Sequence, residues 1–394
     1  VSKPSNIVVR NGGRSSAVWF QDTSQKTNQH QSWFRGEHTN YVPSRGKLMS
    51  ASGVADSVLH GLRPDEPAID RDTRITAFGS CFAANISNHL TKRNFNVAGG
   101  NSEESAAYVI RCGEGMVNTF VLRQQFEWAW EGKEFEQALW HGYKKEEFGY
   151  DEEVRLATKA IFDKTEVFIL TVGLSEVWYD EVSKNVFWRT IPKNSYDPER
   201  HKFRLSTVQE NKENLQAIYD LIQKHRPDAK LIVTLSPVPL AATFRDQACL
   251  PANATSKAVL RVAIDEFISE AKNSNVFYWP SYELVNDVFS GSMEDDMRHP
   301  KPMILDFIMH LFEAEWCKGG VADVEMNTLL IKALTESGDL PWRLRALADA
   351  RDYASLRRLA NRREFSENAR VNKAMKNQLN ALADQWEEAE AQNA

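Results

Sequence analysis

From residue 74 onward, short apolar runs alternate with stretches of helical period. Residues 75–78 (ITAF) form a compact apolar run, and a helical pattern starts directly after Gly-Ser-Cys at 79–81. Residues 95–99 (FNVAG) read as a second short strand. Residues 166–173 (EVFILTVG) read as a third, apolar on both faces as a central parallel strand should be. Residues 229–239 (AKLIVTLSPVP) predict a fourth strand stopped by two prolines, and 275–280 (NVFYWP) a fifth. Helical patterns over 119–130, 151–163, 205–225 and 254–272 separate these runs, and 176–190 alternates like a hairpin turning at Lys184-Asn185. This order predicts an α/β fold with a five-stranded parallel sheet, covered on both faces through right-handed crossovers.

The flanks differ. Residues 1–70 have weak periodicity and scattered aromatics, and are expected to be an arm laid on a main domain at 71–320. Residues 321–394, rich in Ala, Leu, Arg and Glu, predict a helical extension suited to docking or self-association.

Composition narrows the function. The net charge of −6 over 394 residues offers no basic field for nucleic acid. No uninterrupted apolar stretch is long enough to span a bilayer, and the first residues lack the apolar core of a secretory signal. Cys81, Cys112, Cys249 and Cys317 are far apart with no CxxC pair. That argues against a zinc site or a disulfide framework and points to a reducing, cytoplasmic setting. GxxxxGK[ST], GxGxxG after a strand and HExxH are all absent, so neither a cofactor nor a metal is expected.

Ser80 falls at the carboxyl end of the first strand and at a helix N-terminus, where ligands and chemistry collect in open α/β sheets. Taken alone, it reads as a helix cap more readily than as a nucleophile. A base is available in MEDDMRHPKP at 293–302, after the last strand, where Asp296 precedes His299 by three residues. The aspartate would fix the imidazole tautomer and the imidazole would take the serine proton. At the end of the third strand, Gly173 lets backbone approach a ligand, and Ser175 and Glu176 add polar groups to the same edge. Glu176 also suits an ion pair with Arg189 or Arg261. Cys81 is an alternative nucleophile, since a helix N-terminus lowers a thiol pKa. A paired-carboxylate glycosidase built on Glu176 and Asp296 has no support in the spacing.

Several strings together resemble the GSCFA family, a branch related to SGNH-type esterases. They are GSCFA at 79–83, TVGLSEVW at 171–178, TLSPVPLAAT at 234–243, SKAVLR at 256–261 and YWPSYE at 278–283, with a looser match in VNTFVLRQQ at 117–125. The resemblance runs from about residue 30 to 315. It implies a three-layer α/β/α sandwich and ester hydrolase or acyltransferase chemistry, with Ser80 as nucleophile and Asp296 and His299 as its partners. Where SGNH enzymes carry G-x-N-D, this chain has Gly173, Leu174, Ser175 and Glu176, so the asparagine oxyanion donor is replaced. Asn118 is a candidate substitute, beside the Ser80 and Gly173 N–H groups. The expected substrate is an acylated carbohydrate or a similar small ester, an assignment that rests on the resemblance. Trp128, Trp130, Trp140, Trp178 and Trp188 are available for sugar stacking. A glycan O-acyltransferase and a non-catalytic glycan- or protein-binding module are the alternatives.

Overall fold

A computed structural model describes residues 6–8, 17–22 and 27–32, then 40–349 apart from 41, 100–103, 113–114, 135–149, 189 and 272–274, and residues 352, 354, 355 and 384 beyond. The chain divides into two compact units, 1–44 and 45–394. In the first, β1 (Asn6–Val8), β2 (Ala17–Asp22) and β3 (Thr27–Ser32) form an antiparallel meander in the order β1-β2-β3.

The second unit begins with α1 (Ala51–Val58), whose Val54 and Ala55 join the apolar core, so residues 45–70 are integral to this unit. There follow β4 (Ile75–Phe78), α2 (Cys81–Lys92), α3 (Tyr108–Arg111), α4 (Thr119–Glu131), α5 (Glu152–Lys164) and β5 (Val167–Val172). The antiparallel pair β6 (Glu176–Asp180) and β7 (His201–Leu205) comes next, then α6 (Val208–His225), β8 (Lys230–Leu235), α7 (Cys249–Glu270) and β9 (Val276–Tyr278). α8 (Ser281–Asn286), α9 (Pro302–Trp316), α10 (Asp323–Ser337) and α11 (Leu340–Asp349) complete the described elements.

The central sheet is parallel and four-stranded, in the order β4-β5-β8-β9. β5 lies in the middle and every one of its residues is buried, which is why its sequence shows no polar alternation. Its side chains divide between two cores. Phe168, Leu170 and Val172 join one with residues of α4, α5, α6 and α7; Val167 and Ile169 join the other with α2, α9 and α10. Both faces are therefore covered.

Two expectations need correction. Residues 95–99 lie beside β4, where a fifth strand was expected, but pair through a single bridge, Ile75↔Val97. Asn94 (φ 63) and Gly99 (φ 99) turn the chain on either side and leave too few extended residues for a strand. The alternating segment 176–190 does turn at Lys184 (φ 59), yet β6 takes its main partner from 201–205, and only Tyr179↔Val186 bridges across the turn. In the C-terminal region, α10 buries Met326, Leu329, Leu330, Ala333 and Leu334 against its own chain. Most of 350–394 lies outside the described residues. Among the described residues no helix is long and apolar enough to cross a membrane.

Candidate active site

All four parallel strands end at one edge, and the loops beyond them carry the polar groups. Gly79, at φ +133, lets the chain leave β4 against β5: a Cβ there would lie 2.1 Å from the Thr171 carbonyl oxygen. Ser80 follows as the N-cap of α2, its Oγ accepting the Phe82 N–H at 3.2 Å. The Thr171 hydroxyl bridges the same residue, donating to Ser80 Oγ at 2.9 Å while accepting the Ser80 N–H. Ser80 Oγ thus receives two hydrogen bonds, and its own O–H remains to be donated to a base. The cap and the nucleophile are not exclusive readings. Ser80 is nearly buried, at 3% exposure.

The segment 115–118 crosses the edge from β4 to β5. Gly115 bridges to Ser80, and the Val117 carbonyl accepts the Gly173 and Leu174 N–H groups at 2.7 and 3.0 Å. Asn118 therefore arrives at the strand ends, buried, with Oδ1 capping α4 through Val121 N at 3.0 Å. That bond fixes the amide and leaves Nδ2 as a donor. The Gly173 N–H expected to face an oxyanion is committed to Val117, and the Ser80 N–H to Thr171. Ser175 is fully buried and hydrogen-bonded to Ser256, which joins this loop to α7.

Glu176 lies in a different setting. Its Oε2 accepts the Thr243 hydroxyl at 2.8 Å, while Oε1, 3.6 Å from Arg245 Nη1, is buried without a hydrogen-bond partner. The expected partners do not pair with it: Arg261 binds Glu283 and Asp265, and Arg189 lies outside the described residues. Glu176 lines a cleft enclosing about 640 Å³, open mouth included, with Asn118, Trp178, Trp188, Phe203 and Phe244 on its walls. The Trp178 indole N–H is likewise buried with no partner. Trp128 and Trp130 belong to the core, and Trp140 lies outside the described residues. Ser80 does not line this cleft, which approaches the strand ends at Asn118.

Asp296 and His299 sit in a closed turn ahead of α9, held by Met293↔Pro300 pairing and by the Glu294 N–H on the His299 carbonyl at 2.8 Å. Asp296 Oδ1 accepts the N–H groups of Arg298 and His299, and Oδ2 accepts His299 Nδ1–H at 2.5 Å. The His299 backbone N–H, then its ring, then the Arg298 N–H hold the Asp296 carboxyl well below its usual range. A carboxylate on Nδ1 directs the Nε2 lone pair outward, as a general base requires.

The position of this turn relative to Ser80 follows from two helices. His89 of α2 and His310 of α9 are each the ninth residue of their helix, with ring centroids 4.5 Å apart. One turn on, Arg93 meets Glu313 at 2.9 Å. The helices therefore run parallel and begin at the same edge, Ser80 ahead of one and His299 ahead of the other. Among the described residues, no hydrogen bond joins Ser80 Oγ to His299. The His299 side chain is half exposed.

Lys257 escaped the sequence reading. It is 2% exposed, and its Nζ donates to the carbonyls of Gly173, Ser236 and Val238 at 2.9, 2.8 and 2.7 Å. Burial pulls its pKa down to about 7, while the nearby Cys81 acts in the opposite direction. Three carbonyls match the three donors of an ammonium; an amine has only two. The signal lay in its spacing, since Lys257 shares a helical face with the buried Leu260, Ile264 and Phe267. Lys257→Met should cost about 2–3 kcal/mol by orphaning these carbonyls, read as a lowered urea midpoint at constant slope. An unchanged midpoint would show that water replaces the ammonium.

A comparison of the sequence with curated proteins finds no match. The sequence profile of the GSCFA family matches residues 74–312, which include every strand of the parallel sheet, the Ser80 turn and the Asp296–His299 turn. The chain belongs to the GSCFA family.

Proposed function

We propose that the protein is a serine-dependent esterase that works through an acyl-enzyme, with O-acetyl groups on a carbohydrate as its substrate class. The observation that carries this reading is the common origin of two parallel helices, one preceded by Ser80 and the other by an aspartate-held histidine. The two apolar cores on opposite faces of the sheet support an SGNH-type three-layer α/β/α sandwich, and cysteines far apart in sequence with no CxxC pair suit a reducing cytoplasm.

In this reading His299 Nε2 takes the Ser80 proton as Oγ attacks the ester carbonyl, then passes it to the departing sugar hydroxyl. Water, activated by the same imidazole, releases the acyl group. Asp296 holds Nδ1–H throughout. Because the histidine turn is half exposed and makes no bond to Ser80, the turn closes on the serine when substrate binds; catalytic hydrogen bonds commonly tighten in this way. Asn118 Nδ2 is the oxyanion donor, and the Ser80 N–H joins it once Thr171 releases it. No metal or cofactor enters this chemistry.

The cleft supports a carbohydrate. Its aromatic walls offer stacking surfaces, while Glu176 Oε1 and the Trp178 N–H supply an acceptor and a donor for sugar hydroxyls. Glu176→Gln should raise KM for an acetylated sugar about tenfold, equivalent to about 1.4 kcal/mol, and leave 4-nitrophenyl acetate hydrolysis within twofold. Equal effects on both substrates would remove Glu176 from sugar recognition. The same cleft favours a second reading, in which a sugar replaces water as acyl acceptor. An acyl-enzyme that persists until sugar is added would identify an O-acyltransferase. The esterase reading itself is tested with 4-nitrophenyl acetate: turnover should vanish after fluorophosphonate treatment. No turnover and no labelling would instead leave a binding module.

A further inference from the structure

A second cluster lies along the same two helices, away from the catalytic edge. His89, Asp306 and His310 bring their ligand atoms within 4.8 Å of one another, all on partly buried residues. Each imidazole already has one nitrogen engaged. His89 Nε2 donates to Glu313 Oε2 at 2.9 Å, and His310 Nδ1 donates to the Asp306 backbone carbonyl at 2.8 Å and lies 3.3 Å from Asp306 Oδ1. Histidines that bind metals are backed in this way: an N–H given to a carboxylate or carbonyl fixes the tautomer and raises the basicity of the other nitrogen. On His310 that other nitrogen, Nε2, lies 3.7 Å from Glu325 Oε1, a carboxylate beside the three-residue cluster.

The surrounding charge is compatible with a cation. Asp306, Glu313 and Glu325 face two cations: Arg93, 2.9 Å from Glu313 and 3.8 Å from Glu325, and Lys332, which acts on Asp306. Leaving the imidazoles aside, these groups carry one net negative charge. The histidine side chains are only 11% and 12% exposed, so an ion here would be sheltered from water.

We propose that His89, Asp306, His310 and Glu325 bind a divalent transition-metal ion of the zinc class. Two imidazoles with carboxylates are a borderline donor set that favours zinc over calcium or magnesium, which take oxygen ligands. Zinc–ligand bonds of about 2.0–2.2 Å require the four side chains to draw together by rotation. The bound ion would join α2 to α9, the helices whose first turns follow Ser80 and His299. Its role is structural, and the inference stands whether or not the esterase reading does.

The test uses the full chain, free of any affinity tag and stripped of metal, titrated calorimetrically with zinc chloride alone. One equivalent should bind with micromolar or tighter affinity, and Co²⁺ should give the visible absorption of a tetrahedral site. His310→Ala and His89→Gln should each weaken zinc at least 100-fold. Glu313→Gln, which alters only the backing of His89, should weaken it about tenfold. If the histidine variants fold poorly, Asp306→Asn keeps the volume and should show the same loss. Absence of stoichiometric zinc in the wild-type chain would overturn the proposal. So would binding that survives the His310, His89 and Asp306 substitutions, since it would place the ion elsewhere.

Discussion

Ser80→Ala should lower kcat/KM for 4-nitrophenyl acetate by roughly 10³- to 10⁶-fold, the range seen when a nucleophile is removed from a serine–histidine–aspartate system. The alternative nucleophile is one residue away, so the control is Cys81→Ser, which should stay within threefold of wild type. Folding should survive the Ser80 change. Alanine at an N-cap costs about 1 kcal/mol, here through the lost acceptor for Phe82 N–H. Ser80 also accepts the Thr171 hydroxyl, and the loss of that acceptor for a buried donor adds about 1–2 kcal/mol. A large kinetic loss with a small stability loss separates nucleophile from cap. If both losses are small, Ser80 is only a cap.

Gly79→Ala should have the largest effect on stability. Two costs coincide at this position. The backbone sits at φ +133, which a side chain rarely tolerates, and the added Cβ would lie 2.1 Å from Thr171 O and 2.8 Å from its Oγ1. The strained dihedral costs about 1–3 kcal/mol and overpacking a comparable amount, together about 3–5 kcal/mol. Neither partner yields easily, since Thr171 is fully buried and in register with Thr234 of the next strand. The urea midpoint should drop accordingly. Because Thr171 also holds Ser80, whatever protein folds should lose the proposed esterase activity beyond its loss of stability. A change below about 1 kcal/mol would show that the β4 exit is free to move.

These two neighbours illustrate which parts of the fold were legible. The apolar runs at 75–78, 167–172, 230–235 and 276–278 mark strands buried on both faces, and burial is what removes polar residues from such runs. Residues 95–99 look equally apolar because Phe95 and Val97 are core residues, but apolar character reports burial and not hydrogen-bonded pairing. The partner of β6 was hidden for the opposite reason. HKFRL is half exposed throughout, so polar residues interrupt any strand pattern.

At the candidate site one side-chain contact was legible in the sequence, but the backbone pairing was not. Asp296 and His299 form the hydrogen-bonded pair that their spacing suggested. The commitments of N–H groups could not be read, because they depend on where 115–118 crosses the edge: Val117 takes the Gly173 N–H, and Thr171 takes that of Ser80. The departure from G-x-N-D has a physical counterpart. Ser175 is tied to α7, Glu176 turns toward the aromatic cleft, and Asn118 brings an amide to the strand ends from another loop.

The central claim is that Ser80 is the nucleophile and that His299 activates it. The most direct measurement is mass-spectrometric mapping of the adduct formed with a fluorophosphonate, on the wild-type chain and on His299→Ala. The expected result is one adduct per chain on Ser80, formed at least 100-fold more slowly in the histidine variant. An adduct on Cys81 or elsewhere, or labelling of Ser80 at an unchanged rate without His299, would contradict it.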